Sequence, residues 1–402
     1  MPRTNFALRE IGMAYHSCFR SLTSRCVYSL GLTLLAFIQG IVPGLVLGRA
    51  SAESLEERVR AIRLPPGFSI SVFAKDIPNA RAMTRGDRGT IFVGSRRAGK
   101  VYAVRDENSD GVADRVHTIA SGLDLPVGVT MRGSDLYVGE VTRIIKFPGI
   151  EERLENPPEP VVVTDDLPNE RLHGWKFIDF GPDGKLYVPV GAPCNTCLRR
   201  TERRFGTILR MDADGKNQEI VAEGIRNTVG FTWHPVSKVM WFTDNGADMM
   251  GDDRPPDELN SMPESGLHFG FPYCHGKSIP DLNFHAPKPC TEYQAPEQEH
   301  GAHVAALGPT FYTGEMFPED YRNQLFIAEH GSWNRSKKSG YRVTLVRLKE
   351  GRAVSYETFA EGWLVGEDVW GRPVDTMVLP DGSLLVSDDQ AGALYRIAYQ
   401  KK

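Results

Sequence analysis

One strand–turn–strand unit, repeated along the chain, constrains this sequence more than any other feature. In Gly181-Pro-Asp-Gly-Lys-Leu-Tyr-Val188 a Pro-Asp-Gly turn feeds an apolar, strand-favouring run. Similar units stand at Arg85–Val93, Arg132–Val138, His234–Phe242, Tyr321–Ile327 and Leu379–Val386. Spacings of roughly 46 to 58 residues, with one of about 80 to 90 before Tyr321, mark a solenoid, propeller or array. Every unit is strand, so the sequence predicts an all-β, six-bladed β-propeller.

The ends of the chain fit that ring. Phe68–Ala74 alternates as a strand does, and similar strands precede the other repeats at Val116–Leu123, Pro160–Asp166, Gln218–Gly224 and Ala353–Gly362. It is therefore the last strand of a blade with no beginning, whereas Gly392–Tyr399 is a third strand with no fourth. The N- and C-terminal strands are expected to share one blade, which closes the ring and removes exposed edges. Residues 53–66 form a charged, helix-compatible lead-in, and 67–400 a single propeller domain. The irregular interval at about 246–305 is expected to be an excursion on one face of the ring, the usual place for function on a rigid scaffold.

Among 402 residues, 41% hydrophobic and 24% charged content argues against disorder. A net charge of −4 gives no polyanion-binding signature, so nucleic acid is not an expected partner. Residues 1–25 carry four arginines against Glu10, an apolar run spans Cys26–Leu47, and Ala50-Ser-Ala52 follows. That order reads as a signal peptide over 1–52, with an uncleaved membrane anchor as the alternative. Either way the globular part is expected to be periplasmic or secreted. Cys18 and Cys26 fall within the signal, leaving Cys194, Cys197, Cys274 and Cys290. An even number in an exported chain suggests disulfides, and nearness in sequence pairs Cys194 with Cys197 and Cys274 with Cys290. A zinc site would have to draw on the CxxC and Cys274-His275. Leu198 follows the CxxC, which rules out haem c attachment there. Asp106, Asn108, Asp110 and Asp114 fall at calcium-loop spacing around Gly111, but His117 stands where a bidentate Glu belongs; a polar hairpin turn is the plainer reading.

In a propeller the innermost strands line the central channel, and the residues just ahead of them converge on one rim. Those residues are Arg81, Pro126, His173, Arg226 with Asn227, His303 and Arg372. A rim so rich in arginine suits an anionic ligand, since guanidinium binds carboxylate in bidentate fashion. A histidine beside it can serve as a general base near neutral pH. The bland alternative is structural: arginines paired with nearby acids and histidines hydrogen-bonded in the core.

At these residues the chain resembles the soluble quinoprotein glucose/sorbosone dehydrogenases, six-bladed propellers that use pyrroloquinoline quinone (PQQ), and most closely their sorbosone or pyranose dehydrogenase-type branch. The likeness covers residues 64–399 and is carried by His173–Val188, Gly191–Cys197, Gly224–Asn227, Asp244–Ala247 with Asp257–Asn260, Gly270–Pro272, Ala328–Arg335 and Gly371–Pro373. The resemblance implies that His173 is the base taking the substrate hydroxyl proton as hydride passes to the quinone. It implies that Arg226 sits at the quinone oxygens, with Asn227 a cofactor contact, and that Arg372 pairs with a cofactor carboxylate. Gly246 and Ala247 match two residues whose backbone carbonyls hold a calcium ion under the cofactor. The family's pocket lysine has no clear counterpart; Arg335 and Lys337 lie near its place. Where glucose-oxidising members carry an Asp that orients the base, this chain has Ala192, with Asp179 as a candidate substitute.

The implied function is a PQQ- and calcium-dependent oxidoreductase acting on a small sugar or sugar aldehyde and passing electrons to a separate acceptor. Two other classes stand beside it: a calcium-dependent propeller hydrolase of lactonase type, which would want several acidic side chains around one metal, and a non-catalytic ligand-binding propeller.

Overall fold

The second strand of nearly every repeat begins as an apolar run and is buried rather than alternating, because neighbouring sheets cover it on both faces. In the computed structural model, which describes residues 53–198 and 201–401, the strands Ile91–Ser95, Leu186–Val190, Met240–Asp244, Leu325–Glu329 and Leu384–Asp388 are buried along their whole length. The expected signal segment, with Cys18 and Cys26, lies outside the described residues.

Six antiparallel sheets radiate from a common axis. Blade 1 comprises Ala80–Arg85, Ile91–Ser95, Val101–Arg105 and Arg115–Ala120. Blade 2 comprises Gly128–Arg132, Asp135–Gly139, Ile144–Phe147 and Val161–Thr164. Blade 3 is Asp179–Phe180, Leu186–Val190, Thr207–Met211 and Glu219–Glu223. Blade 4 is Phe231–Trp233, Met240–Asp244, Pro256–Met262 and Gln298–Ala302, and blade 5 is Ala306–Phe311, Leu325–Glu329, Arg342–Lys349 and Arg352–Glu361. Blade 6 joins Pro373–Val378, Leu384–Asp388 and Ala393–Tyr399 to the N-terminal strand Phe68–Ala74, in the register Phe68 opposite Tyr399. The shared blade expected from the two chain ends is thus present.

An apolar cluster fills each space between neighbouring blades, six in all, including one between blades 6 and 1 that closes the ring. Phe326 in the blade 5–6 cluster is fully buried, and truncating such a side chain to Ala costs about 3–5 kcal/mol. Close to the axis the inner strands touch backbone to backbone. A Cβ on Gly308 would overlap the carboxylate of Asp375 on the next blade, and one on Gly128 would meet the Lys176 carbonyl ahead of blade 3. These glycines allow the inner strands to meet.

The lead-in supplies a short helix, Leu55–Arg60, whose Ser54 and Glu57 form a reciprocal capping box. Val59 and Ile62 bury themselves in the blade 5–6 cluster, and Arg63 exchanges backbone hydrogen bonds with Glu361. No helix among the described residues is long and apolar enough to cross a membrane.

The interval 246–305 is more regular than its sequence suggests. It contains the third and fourth strands of blade 4, so the insertion proper is 263–297. Pro256–Met262 escapes a hydrophobic scan because Asp257, Glu258 and Asn260 are buried polar residues. Within the insertion Leu267–His268 adds a parallel fifth strand to blade 3, and the Cys274–Cys290 disulfide closes the loop behind it. Cys194 and Cys197 form the other disulfide, so neither pair is free to ligate zinc. In the Asp106–Asp114 turn the carboxylates accept the turn's own backbone N–H groups: Asp106 from Asp110 and Gly111, and Asp114 from Glu107.

Candidate active site

Inner strands run away from one face of the ring and second strands return to it. That face therefore collects residues from both places: those ahead of each inner strand and those just after each second strand. A cavity of about 440 Å³ opens there, within the range of small-molecule sites. Arg81, His173, Arg226, Asn227, Gly246, His303 and Arg372 all line it. Pro126 and Ala247 do not; both are buried beside it.

His173 is held in the left-handed region at φ 55°, and its ring nitrogen Nδ1 lies 2.8 Å from the Ala192 carbonyl oxygen. A carbonyl only accepts, so Nδ1 carries the proton and Nε2 keeps its lone pair. Burial pushes the imidazole down to about 3, with Arg226 and Arg96 adding to the shift and the Ala192 carbonyl opposing it. The ring is neutral in the free protein. Asp179, the candidate substitute for a base-orienting acid, instead accepts from the Thr130 hydroxyl at 2.7 Å and has no bond to His173.

The arginines divide into two sets. Arg226 spends four of its five N–H groups on protein acceptors: the Asn195 carbonyl (2.9 Å), the Asn245 carbonyl (3.1 Å), Asn195 Oδ1 (2.8 Å) and Asp248 Oδ2 (2.8 Å). Arg81 pairs with Asp389 at 2.9 Å. Arg372, by contrast, is aimed by two backbone carbonyls, His330 and Gly331, at 2.9 and 2.7 Å. Arg96 stacks on Trp175 with its guanidinium carbon 4.1 Å from the ring centroid. Among the described residues Arg96, Arg97 and Arg372 have no carboxylate partner, and all three line the cavity. Burial, with the neighbouring guanidiniums of Arg81, Arg97 and Arg372 adding to it, presses the Arg96 group down to about 10.

Asp244 braces the start of blade 4 by accepting from the backbone N–H groups of Arg226 (2.9 Å) and Asn227 (2.6 Å). Asp257 accepts from Gly246 N–H at 2.7 Å and Ala305 N–H at 2.6 Å; burial pushes its carboxyl up to about 7. The carbonyl oxygens of Gly246 and Ala247 accept no hydrogen bond among the described residues, which leaves hard oxygen donors of the kind calcium takes. Among the described residues no group of three or more His, Cys, Asp or Glu side chains is arranged to hold a metal. A metal here would rest on carbonyls and on oxygens brought by a ligand.

Arg96, Arg97, Trp175, Asp248, His330 and Trp333 also line the cavity and were not assigned from the sequence. His330 is buried, and its Nε2 meets Asp389 Oδ1 at 2.8 Å, so Asp389 is shared with Arg81. Trp333 is 69% exposed at the mouth. Arg335 turns away to the 252–253 loop and pairs with Asp253, and neither it nor Lys337 reaches the cavity.

The TrAA12-like family model matches residues 62–400. An uncharacterized protein of Borreliella burgdorferi is 35% identical over 362 residues, covering 86% of this chain and 93% of that one. Among solved structures, the calcium structure of Trichoderma reesei Carbohydrate-Active Enzymes Family AA12 is similar at a TM-score of 0.75 and 17% identity, over 85% of this chain and 98% of that chain. The holo form of the pyranose dehydrogenase PQQ domain from Coprinopsis cinerea is similar at a TM-score of 0.70 and 16% identity, over 84% and 97%. The propeller fold drawn from the repeats is the fold these structures share with the chain.

Proposed function

Because the chain belongs to the TrAA12-like family, we propose that it is a quinoprotein oxidoreductase that oxidises an aldose- or sorbosone-like sugar or sugar aldehyde with PQQ and calcium. The observation that carries this reading is the trio of cavity arginines without carboxylate partners, Arg96, Arg97 and Arg372. PQQ is a flat tricarboxylate, and three unpaired guanidiniums around one cavity match it in charge. The structurally similar Coprinopsis domain is a holo form with that cofactor.

The residues divide the work as follows. Arg372 and Arg96 bind cofactor carboxylates, and Arg226 directs its remaining N–H toward the quinone oxygens, with Asn227 beside it. The carbonyls of Gly246 and Ala247 hold the calcium. When bound, PQQ supplies the hydride acceptor. His173, neutral and with Nε2 unprotonated, takes the substrate hydroxyl proton. The electrons leave to a separate acceptor, and the two disulfides suit a periplasmic or secreted setting. A second assignment of the base rests on His330, which lines the cavity and whose Nε2 meets the Asp389 carboxylate at 2.8 Å.

Reconstitution tests the proposal. Purified protein with PQQ and calcium is expected to reduce an artificial dye with an aldose or sorbosone. His173→Ala is expected to abolish turnover and spare cofactor binding. Absence of PQQ binding by absorbance or calorimetry overturns the cofactor; full activity in His173→Ala, with loss in His330→Ala, moves the base to His330. Lactone hydrolysis without PQQ would instead favour the hydrolase reading.

A further inference from the structure

The segment that follows the second strand of blade 3 reaches two site residues at once. Its Ala192 carbonyl orients His173, and three residues later Asn195 grips Arg226 by its backbone oxygen and its side-chain oxygen. The Asn195 side chain is itself locked to the loop after Asp244. Its Oδ1 accepts from Asp248 N–H at 2.8 Å, and its Nδ2 donates to the Asp248 carbonyl at 2.9 Å. Asp248 in turn accepts from Arg226 and from Asn334 Nδ2 at 3.1 Å.

Little else holds this loop. Among the described residues no backbone N–H from Cys194 to Leu198 donates to another backbone group. What closes it is the Cys194–Cys197 disulfide, which spans three positions and encloses Asn195. Cys197 is half-buried and also lines a separate cavity of about 220 Å³ together with Glu202 and Arg203, by which a small thiol can approach the disulfide.

We propose that Asn195 is a positioning residue for Arg226, and that the Cys194–Cys197 disulfide, by holding the loop that carries it, makes anion binding in the cavity depend on thiol oxidation. The switch is ordinary exchange. A dithiol reductant attacks one sulfur as thiolate and releases the other cysteine; its second thiol then attacks its own sulfur in the mixed disulfide and expels the remaining protein thiolate. Two electrons and two protons pass to the protein, giving Cys194 and Cys197 thiols and a cyclic oxidised dithiol. Freed of the cross-link, the loop regains conformational freedom and Asn195 leaves the Arg226 guanidinium. Arg226 then keeps Asp248 and Asn245 but loses two of its four acceptors. This inference rests on the proposed function for the identity of the anion, but not for the state of Arg226.

The test therefore has two arms. In the first, the guanidinium Nη2–H resonances of Arg226, assigned through Arg226→Lys, are followed by ¹⁵N NMR in protein without cofactor. The second measures PQQ affinity from quenching of tryptophan fluorescence. Cys194→Ser/Cys197→Ser isolates this disulfide from Cys274–Cys290, and Asn195→Ala keeps the disulfide intact should the double variant fail to fold. Asn195→Ala removes the Oδ1 acceptor of Arg226 Nη2 and the double variant frees the whole loop, so both are expected to speed exchange of the Arg226 Nη2–H groups. By leaving the guanidinium less well held at the cavity, both are expected to weaken PQQ binding by about 10-fold or more. An unchanged resonance in Asn195→Ala, or PQQ affinity within about twofold of wild type in the folded variants, overturns the inference. Failure of the wild-type protein to bind PQQ overturns the cofactor assignment instead, and the NMR arm still decides the role of Asn195.

Discussion

His173 Nδ1 and the carbonyl oxygen of Ala192 lie 2.8 Å apart, so a peptide group occupies the position where a carboxylate would orient a general base. A carbonyl fixes the tautomer as well as a carboxylate does. It gives no full negative charge to stabilise an imidazolium, and burial with Arg226 and Arg96 dominates, so the ring is pushed from 6.5 down to about 3. The folded protein therefore holds His173 neutral through the range in which a free histidine titrates. The expected consequence is a profile of kcat/KM against pH with no acid inflection near 6.5 in the reconstituted enzyme, at pH values where it remains folded. Burial pushes the His330 imidazole down to about 4, so an acid inflection near 4 that disappears in His330→Ala would assign the base to His330.

Gly191 tests the same relationship sterically. A Cβ at this position would lie 2.5 Å from the His173 Cβ and 2.9 Å from its carbonyl oxygen, so Gly191→Ala must push the histidine off its carbonyl. Misplacing a catalytic group by about 1 Å costs on the order of 100-fold in rate. We expect kcat to fall by about that factor. Gly191 stands on the segment that leads to Asn195, and a Cβ here would also come 3.3 Å from Asn227 Oδ1. PQQ affinity is therefore expected to fall too but by less, under about 10-fold, because Arg96 and Arg372 stand on other segments. Equal losses in both would mean that the substitution disturbs the blade and not the histidine alone.

The ring was legible because a Pro-Asp-Gly turn and a fully buried second strand recur with little variation. His173, Arg226, His303 and Arg372 were legible because they stand ahead of inner strands, and that position alone puts them on the rim. Arg96, Arg97, His330 and Asp389 escaped for a topological reason. They follow second strands, after Ser95, Glu329 and Asp388, and those strands return to the same face. A scan of both positions would have found them. Trp175 gave no such signal, because it reaches the cavity from inside the loop that also carries His173. Neither did Asn195, whose role depends on contacts across two loops rather than on its place in a repeat. The third strand of blade 4 was hidden because Asp257, Glu258, Asn260 and Ser261 are buried beside Leu259 and Met262, and hydrophobic patterning misses a buried strand that is mostly polar.

Arg372 and Arg96 are expected to bind anion, not to hold the fold. Arg372 is aimed by carbonyls, and Arg96 by the Trp175 face, so neither leaves a buried acid behind when removed. Arg372→Ala is expected to weaken PQQ binding by about 30-fold or more, the loss of a charge-assisted pair of about 2–3 kcal/mol, with little change in Tm. Arg372→Lys recovers part of the affinity through charge without the bidentate fork. Calorimetry with PQQ and a thermal melt of each variant separate the two effects; a drop in Tm of many degrees with unchanged affinity would make Arg372 structural.

His300 offers a test of stability away from the site. It is fully buried against Tyr356, neither ring nitrogen has a hydrogen-bond partner among the described residues, and Glu329 comes no closer than 4.0 Å. Burial, with Arg342 nearby, pushes its imidazole down from 6.5 to about 3. Below pH 6.5 the unfolded chain gains a proton that the folded state refuses, so stability is lost as pH falls from 6.5 toward 3 and is unaffected above 6.5. At pH 5 this one residue costs about 2 kcal/mol. His300→Phe keeps the aromatic contact with Tyr356 and removes both the proton uptake and two unpaired buried nitrogens. His173 and His330 share the sign of the shift, so both proteins remain acid-sensitive, and the difference between them isolates His300. Melts from pH 8 to 4.5 are expected to show the Phe variant gaining on wild type steadily below pH 6.5. A difference that stays constant across that range would mean that His300 titrates alike in the folded and unfolded states.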